Sequence, residues 1–303
     1  MSQAWLSLVM GNTRLHWGLF SHHQLIESWH TPHFTADRVE HLLLGRFELN
    51  AWQDIWPETT CKTALWPVEK LSADALAHVS ALWIASAVPE QMALWEAQTA
   101  QGGCVELHVV RRSHIPLAGL YPALGLDRAI NLLGAGDTRG WPVIVMDAGT
   151  ALTFTAGAQQ CLWGGAILPG IRLQKQALAQ GTAALAKSIA TDLPLFSDAA
   201  AVSLPKRWAT NTPDAIASGL AYGALSAMTD YLQDWWQHFP TGKAVLTGGD
   251  GPILHSFLQK RTPEIATRVQ LDSRLMFWGM RRYRQRCLSR VDSGKRTESG
   301  NDK

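Results

Sequence analysis

The sequence predicts an α/β protein of two related halves. Two segments carry that expectation: Leu6-Ser7-Leu8-Val9-Met10-Gly11-Asn12-Thr13 and Val143-Ile144-Val145-Met146-Asp147-Ala148-Gly149-Thr150-Ala151. Each is a short apolar run that breaks into a glycine and then small polar residues. That is the pattern of a buried strand ending in a tight loop that a phosphate can approach closely. A third observation is a repeat of topology: both halves begin strand, loop, strand, turn, strand, with the glycine loop at the same place. The copies differ at one position, since Asp147 stands two residues before its glycine and Val9 stands there in the first copy.

The elements follow in order. Residues 4–31 read as a β-hairpin, because Leu15, Trp17 and Leu19 alternate with Arg14, His16 and Gly18 after the Gly11 loop. Ser21 to Gln24 make the turn, and the cluster His22, His23, His30 and His33 is expected at a solvated hairpin tip. Residues 36–44 and 72–81 have helical spacing. Leu82 to Val88 is a buried strand stopped by Pro89, which also suits the first turn of the next helix. Val105 to Val110 is a strand, and Leu126 to Ala135 a helix ending near Gly136. Gly136, Gly140 and Pro142 mark a linker, so residues 1–139 and 140–286 are expected to form the two domains. Strands at 143–147, 150–155 and 162–168 open the second, followed by helices at 171–190 and 213–238 and a strand at 244–246. Residues 287–303 are polar and read as a disordered tail, with Arg281, Arg282, Arg284 and Arg286 as the solvated end of the last helix.

Bulk properties exclude several classes. The net charge of +2 gives no strong pull toward nucleic acid or an anionic membrane. No apolar run is long enough to span a bilayer, and no basic segment precedes the first apolar run. The four cysteines form no C-x-x-C pair, which favours a reduced, cytoplasmic setting over a zinc site or disulfide framework. The 14 tryptophans, among them Trp52, Trp56, Trp66 and the pair Trp235-Trp236, read as core and interface packing with indole N–H groups near the surface.

Three glycine turns follow apolar strands: Gly11-Asn12-Thr13, Gly149-Thr150 and Gly248-Gly249-Asp250. Together they favour nucleotide binding, while a P-loop and the dinucleotide fingerprint are both absent as strand-to-helix elements. Asp127 and Arg128 follow Gly125 at a helix start. A carboxylate there suits a residue that orients a hydroxyl and takes its proton, and it equally suits a helix cap with a surface ion pair. From these residues alone the two readings are even.

Taken together, six blocks resemble the type III pantothenate kinases of the actin-like and sugar-kinase superfamily. They are Gly11-Asn12-Thr13-Arg14; Gly125-Leu126-Asp127-Arg128; Asp147 to Thr153; Gly164 to Gly170; Asn211 to Gly219; and Thr247 to Asp250. The resemblance implies two RNase H-like (actin-like ATPase) domains with a central cleft. It also implies transfer of the ATP γ-phosphate to pantothenate, the first step of coenzyme A biosynthesis. By the same resemblance Asp127 is the general base, and Tyr121, Gly125, Leu126, Asp127, Arg128 and Thr212 bind pantothenate. Val9, Met10, Gly11, Asn12, Thr13, Arg14, Leu15, His16 and Thr150 bind ATP, which brings Mg2+ with it. Asp147 binds a monovalent cation, K+ or NH4+. A homodimer is implied, with Thr212 contributed from the partner subunit.

Three positions depart from the family pattern. Val9 stands where an aspartate is usual, His16 where a lysine or arginine is usual, and Tyr121 is closer to Gly125 than in the family. The alternatives are a catalytically impaired relative that binds or regulates, and a kinase for another small alcohol.

Overall fold

The computed structural model describes residues 4–55, 71–100, 105–182, 185 and 203–298, the last eight by backbone alone. The chain divides into two compact units. Unit 1 comprises Met1–Pro116, Pro122–Ile130 and Met276–Lys303; unit 2 comprises Leu117–Tyr121 and Asn131–Leu275.

Unit 1 is built on a five-stranded sheet of β1 (Ala4–Met10), β2 (Leu15–Ser21), β3 (Gln24–Thr31), β4 (Val79–Ser86) and β5 (Glu106–Val109), in the order β3-β2-β1-β4-β5. β1 is central and buried along its whole length, as its near-continuous apolar run requires. One face of the sheet, with Leu6, Leu8, Met10, Leu15, Trp17 and Leu19, packs on α1 (Ala36–Leu44), α2 (Leu49–Ile55) and α4 (Pro89–Thr99). Trp17, Trp29, Trp52 and Trp95 meet there, and Trp17 and Trp52 donate their indole N–H to Thr31 Oγ1 and the Phe47 carbonyl. These four tryptophans form a core, as expected, but the Trp52 indole N–H is bonded inside it and not near the surface; Trp163 and Trp208, by contrast, are exposed. Trp56 and Trp66 lie outside the described residues.

The expected helix at 72–81 is only the single turn α3 (Ala73–Leu76), capped by Ser72, whose hydroxyl accepts from Ala75 N. β4 already begins at Val79, because Val79 pairs in parallel with Ala4, and that long-range ladder overrides local helical spacing.

Unit 2 repeats the plan. β6 (Val143–Ala148), β7 (Ala151–Ala158), β8 (Cys161–Pro169), β9 (Lys243–Thr247) and β10 (Val269–Leu271) form a second five-stranded sheet, in the order β10-β9-β6-β7-β8. Read from its antiparallel edge, this order matches that of unit 1: third, second, first, fourth, fifth. Both sheets thus have RNase H-like topology, and the fold is α/β. α6 (Ile171–Gly181), α7 (Thr212–His238) and α8 (Gly251–Arg261) contribute to its core.

Two further helices differ from expectation. α5 (Leu126–Arg139) does not end at Gly136 but continues to Arg139, which pairs with Asp272 at 2.8 Å. Gly136 is there because any side chain would overlap the Trp141 ring, and Gly140, at φ +84°, ends the helix. The last helix, which we number α10 after the short α9 (Pro263–Ala266), spans Leu275–Glu298. The polar stretch expected as a tail from 287 thus continues this helix to Glu298. Its Arg, Leu, Val and Lys residues are compatible with helix, and composition alone does not separate the two outcomes. Residues 299–303 lie outside the described residues.

Candidate functional site

The first glycine loop belongs to unit 1. Gly11 N–H donates to the Arg14 carbonyl at 3.0 Å, which closes the turn and leaves Asn12, Thr13 and Arg14 exposed before Leu15 is buried again. Met10 and Val9 are strand residues, and Val9 is 3% exposed. Val9 lies directly opposite His16 on β2 and beside Ala85 on β4. The position where an acid is usual is therefore buried inside the sheet.

His16 meets His30 edge to face, 4.6 Å between ring centres. Burial, then His30, then the Arg14 guanidinium push the His16 pKa down to about 3. Burial and Arg14 also lower that of His30. Both rings are neutral at neutral pH, and neither Nδ1 has a hydrogen-bond partner. The histidine cluster is thus divided. His22 and His23 form the two-residue turn, with His22 at φ +52°, while that turn's register places His30 opposite His16 at the far end of the hairpin. His33 Nε2 lies 2.8 Å from the Gly11 carbonyl.

The second loop belongs to unit 2. Asp147, near the end of β6, accepts a hydrogen bond at 2.9 Å from Asn131 Nδ2, and Asn131 is 1% exposed. Gly170 N donates to the Thr150 carbonyl at 3.0 Å, and Asp250 N to the Ala148 carbonyl at 2.9 Å. A Cβ on Gly170 would overlap the Gly149 and Thr150 carbonyls; one on Gly248, at φ +90°, would overlap the Ala148 carbonyl. These two glycines let three loops pack main chain to main chain. Gly249, by contrast, has nothing within 4 Å of an added Cβ, so its backbone faces open space. The structure thus brings Asp147, Gly149, Thr150, Gly248 and Asp250 together. Sequence reasoning missed Asn131, whose available signal was its position one helical turn after Asp127.

Gly125, Leu126, Asp127 and Arg128 open α5. The Asp127 carboxylate folds back over Gly125, with Oδ1 2.5 Å from where a Cβ would stand, so glycine is required there for this rotamer. Arg128 is 6% exposed. Tyr121, 45% exposed, belongs to unit 2.

Thr212 is the first residue of α7. Asn211 caps that helix: its Oδ1 accepts from Asp214 N at 3.0 Å and its Nδ2 donates to Asp214 Oδ2 at 2.8 Å. Thr212 itself is exposed and lines an open, largely apolar groove of about 990 Å3 within unit 2, with Leu173, Leu178, Ala215, Ile216 and Gly219. Added Cβ atoms on Gly219 and Gly223 would meet nothing within 4 Å.

Among the described residues, no group of three or more His, Cys, Asp or Glu side chains is placed to hold a metal ion. No described helix is long and apolar enough to cross a membrane.

Two RNase H-like units, each ending its first strand in a glycine turn, place the chain in the class of two-unit, actin-like α/β folds. Comparison with known proteins narrows this. Residues 5–234 match the family model described as type III pantothenate kinase. A type III pantothenate kinase of Nostoc sp. is 39% identical over 277 residues, covering 91% of this chain and 92% of that protein. One of Synechocystis sp. is 37% identical, covering 91% and 88%. A solved structure from Campylobacter jejuni, titled a Baf family transcriptional activator, aligns with a TM-score of 0.54 at 17% identity, covering 94% of this chain and 99% of that one. That likeness bears on the fold alone. The chain belongs to the type III pantothenate kinase family.

Proposed function

We propose that this chain transfers the γ-phosphoryl group of ATP to the primary hydroxyl of pantothenate, giving 4'-phosphopantothenate and ADP, the first step toward coenzyme A. The observation that carries the reading is family membership, with a relative matched over 91% of the chain; Asp127 and Arg128 lie in the first turn of α5. The substrate oxygen attacks the γ-phosphorus as the bond to the β–γ bridging oxygen breaks. Asp127 orients the hydroxyl and takes its proton as the new bond develops, since a carboxylate is too weak a base to deprotonate a free alcohol first. Arg128 holds the pantothenate carboxylate, and Tyr121, Gly125 and Leu126 also bind pantothenate.

Gly11, Asn12, Thr13 and Arg14 wrap the phosphates, framed by Val9, Met10, Leu15 and His16, and Thr150 also binds ATP. Mg2+ arrives on ATP and keeps much of its water. A K+ or NH4+ ion fits Asp147, a carboxylate already oriented by Asn131. Such a cation would offset phosphate charge. The active form is a homodimer in which Thr212 reaches the partner's pantothenate. The exposed position of Thr212 at the start of α7 is compatible with this. The setting we propose is cytoplasmic. We propose the domain division at 139/140 as the functional one, the first half carrying Asp127 and the second Asp147.

The test is phosphopantothenate formation by the purified chain with Mg2+–ATP, with and without K+, read by mass spectrometry. Binding of pantothenate with no product at any Mg2+ concentration would refute it. One observation favours that second, non-catalytic reading: the buried Val9 and the neutral His16 leave the first loop without two charges usual in the family. If another small alcohol is phosphorylated and pantothenate is not, the acceptor assignment fails instead.

A further inference from the structure

His33 lies well outside the glycine motif, yet it touches the first loop directly. Its Nε2 is 2.8 Å from the carbonyl oxygen of Gly11. A carbonyl oxygen only accepts, so Nε2 carries the proton and donates, a role open to the neutral Nε2–H tautomer and to the charged ring alike. On its other side, Gly11 closes the turn through its N–H, which donates to the Arg14 carbonyl. Two contacts therefore fix the orientation of the peptide planes that enter and leave Gly11. Behind them, the neutral His16 and His30 rings fill the sheet side of the loop. His16 Nε2 lies 3.5 Å from where a Gly11 Cβ would stand, an ordinary contact distance.

We infer that His33 is a positioning residue for the nucleotide: by holding the Gly11 carbonyl it pre-orients the amides of the turn beyond Gly11, that of Asn12 first, toward the phosphates. The inference rests on the proposed reading of that loop as the ATP site. The physical need follows from what the loop lacks. With a buried Val9 and an uncharged His16, attraction for phosphate falls to backbone N–H groups and Arg14. Backbone donors act strongly only when they are already aimed, since a loop that must reorganise pays that ordering cost out of binding. A side chain that locks the carbonyl also locks the N–H of the following residue, because the two share one planar peptide. Asn12 N–H is thus set by His33.

The test compares His33→Leu, which keeps bulk and loses the donor, with His33→Gln, which replaces the donor with an amide of similar reach. In the full-length protein, His33→Leu is expected to raise KM for ATP about five- to tenfold, the weight of roughly one hydrogen bond. KM for pantothenate should stay within about twofold, and His33→Gln should recover most of the loss. A second arm uses no substrate: amide exchange of the segment 9–16 should quicken in His33→Leu and return toward wild type in His33→Gln. Unchanged exchange in His33→Leu overturns the inference, as does an equal rise in both KM values or a Gln variant no better than Leu. If the wild-type protein makes no phosphopantothenate, the kinase reading fails by itself, and the exchange arm still decides whether His33 orders the loop.

Discussion

Lowering the pH from about 7.5 to about 5 is expected to cost the first unit roughly 2 kcal/mol of stability through His16 alone. In the native protein the His16 pKa is held at about 3, against 6.5 for a free imidazole, chiefly by burial and then by His30 and Arg14. A depressed pKa means that the unfolded chain binds the proton more readily than the folded one. Stability is therefore complete above pH 6.5 and is lost progressively as pH falls toward 3. At about pH 5 the unfolded group is about 1.5 units below its pKa and the folded one still deprotonated, and at about 1.36 kcal/mol per unit this gives roughly 2 kcal/mol. The partial exposure of the ring screens some of this, while His30, shifted in the same direction, adds to it.

The assay is urea unfolding of wild type and His16→Gln at both pH values. The buried Trp17, Trp29, Trp52 and Trp95 supply the fluorescence signal from this unit. Many groups titrate over that range, so the informative quantity is the difference between the two proteins. Wild type should lose roughly 2 kcal/mol more than the variant on acidification. Equal losses would refute the reasoning, and so would an imidazole proton resonance of His16 that titrates near pH 6.5.

Three further outcomes are expected. Val9→Asp puts a carboxylate at a position 3% exposed and directly opposite His16. It should destabilise the protein by about 2–4 kcal/mol and raise the His16 pKa, as measured by unfolding and by NMR titration; a variant as stable as wild type would put position 9 in solvent. Asp127→Asn should lower kcat by about 10²–10⁴ while nucleotide still binds, seen in single-turnover kinetics against ATP titration, and an unchanged kcat would remove Asp127 from the proton transfer. Gly248→Ala forces a Cβ into the Ala148 carbonyl at φ +90°. It should cost about 2–4 kcal/mol in a thermal or urea melt, and a neutral result would mean that the three loops of unit 2 separate easily.

What the sequence made legible was local. The Gly11 and Gly149 turns and the alternation through β2 are signals spanning a few residues, and the structure has them where expected. The repeat of strand order in the two sheets follows from the same signals, because each half begins with the same three antiparallel strands. What stayed hidden depended on partners distant in the chain. Val79 is a strand residue because Ala4 lies beside it, and Gly136 is a glycine because Trp141 folds back on it. His30 and His33 left the expected hairpin tip because a two-residue turn fixes the register of eight residues beyond it.

The same dependence accounts for the unlike glycine loops. The second holds an acid whose orientation is set by Asn131, a residue from another element, and its glycines divide between packing and open backbone. The first holds no acid, and the position that would carry one faces a ring that burial keeps uncharged. Val9 and His16 are thus one cross-strand pair. A charge placed on either side alone would lie in the sheet opposite a neutral partner, at a cost of several kcal/mol. Reading them singly makes two losses of function; reading them as a pair makes one neutral solution, in which an anion would be held by backbone donors and Arg14. Singles and double distinguish these accounts. If Val9→Asp and His16→Lys each destabilise and the double variant regains about half or more of the summed loss, the positions are coupled. Additive losses would show that the acid and the base were never a pair.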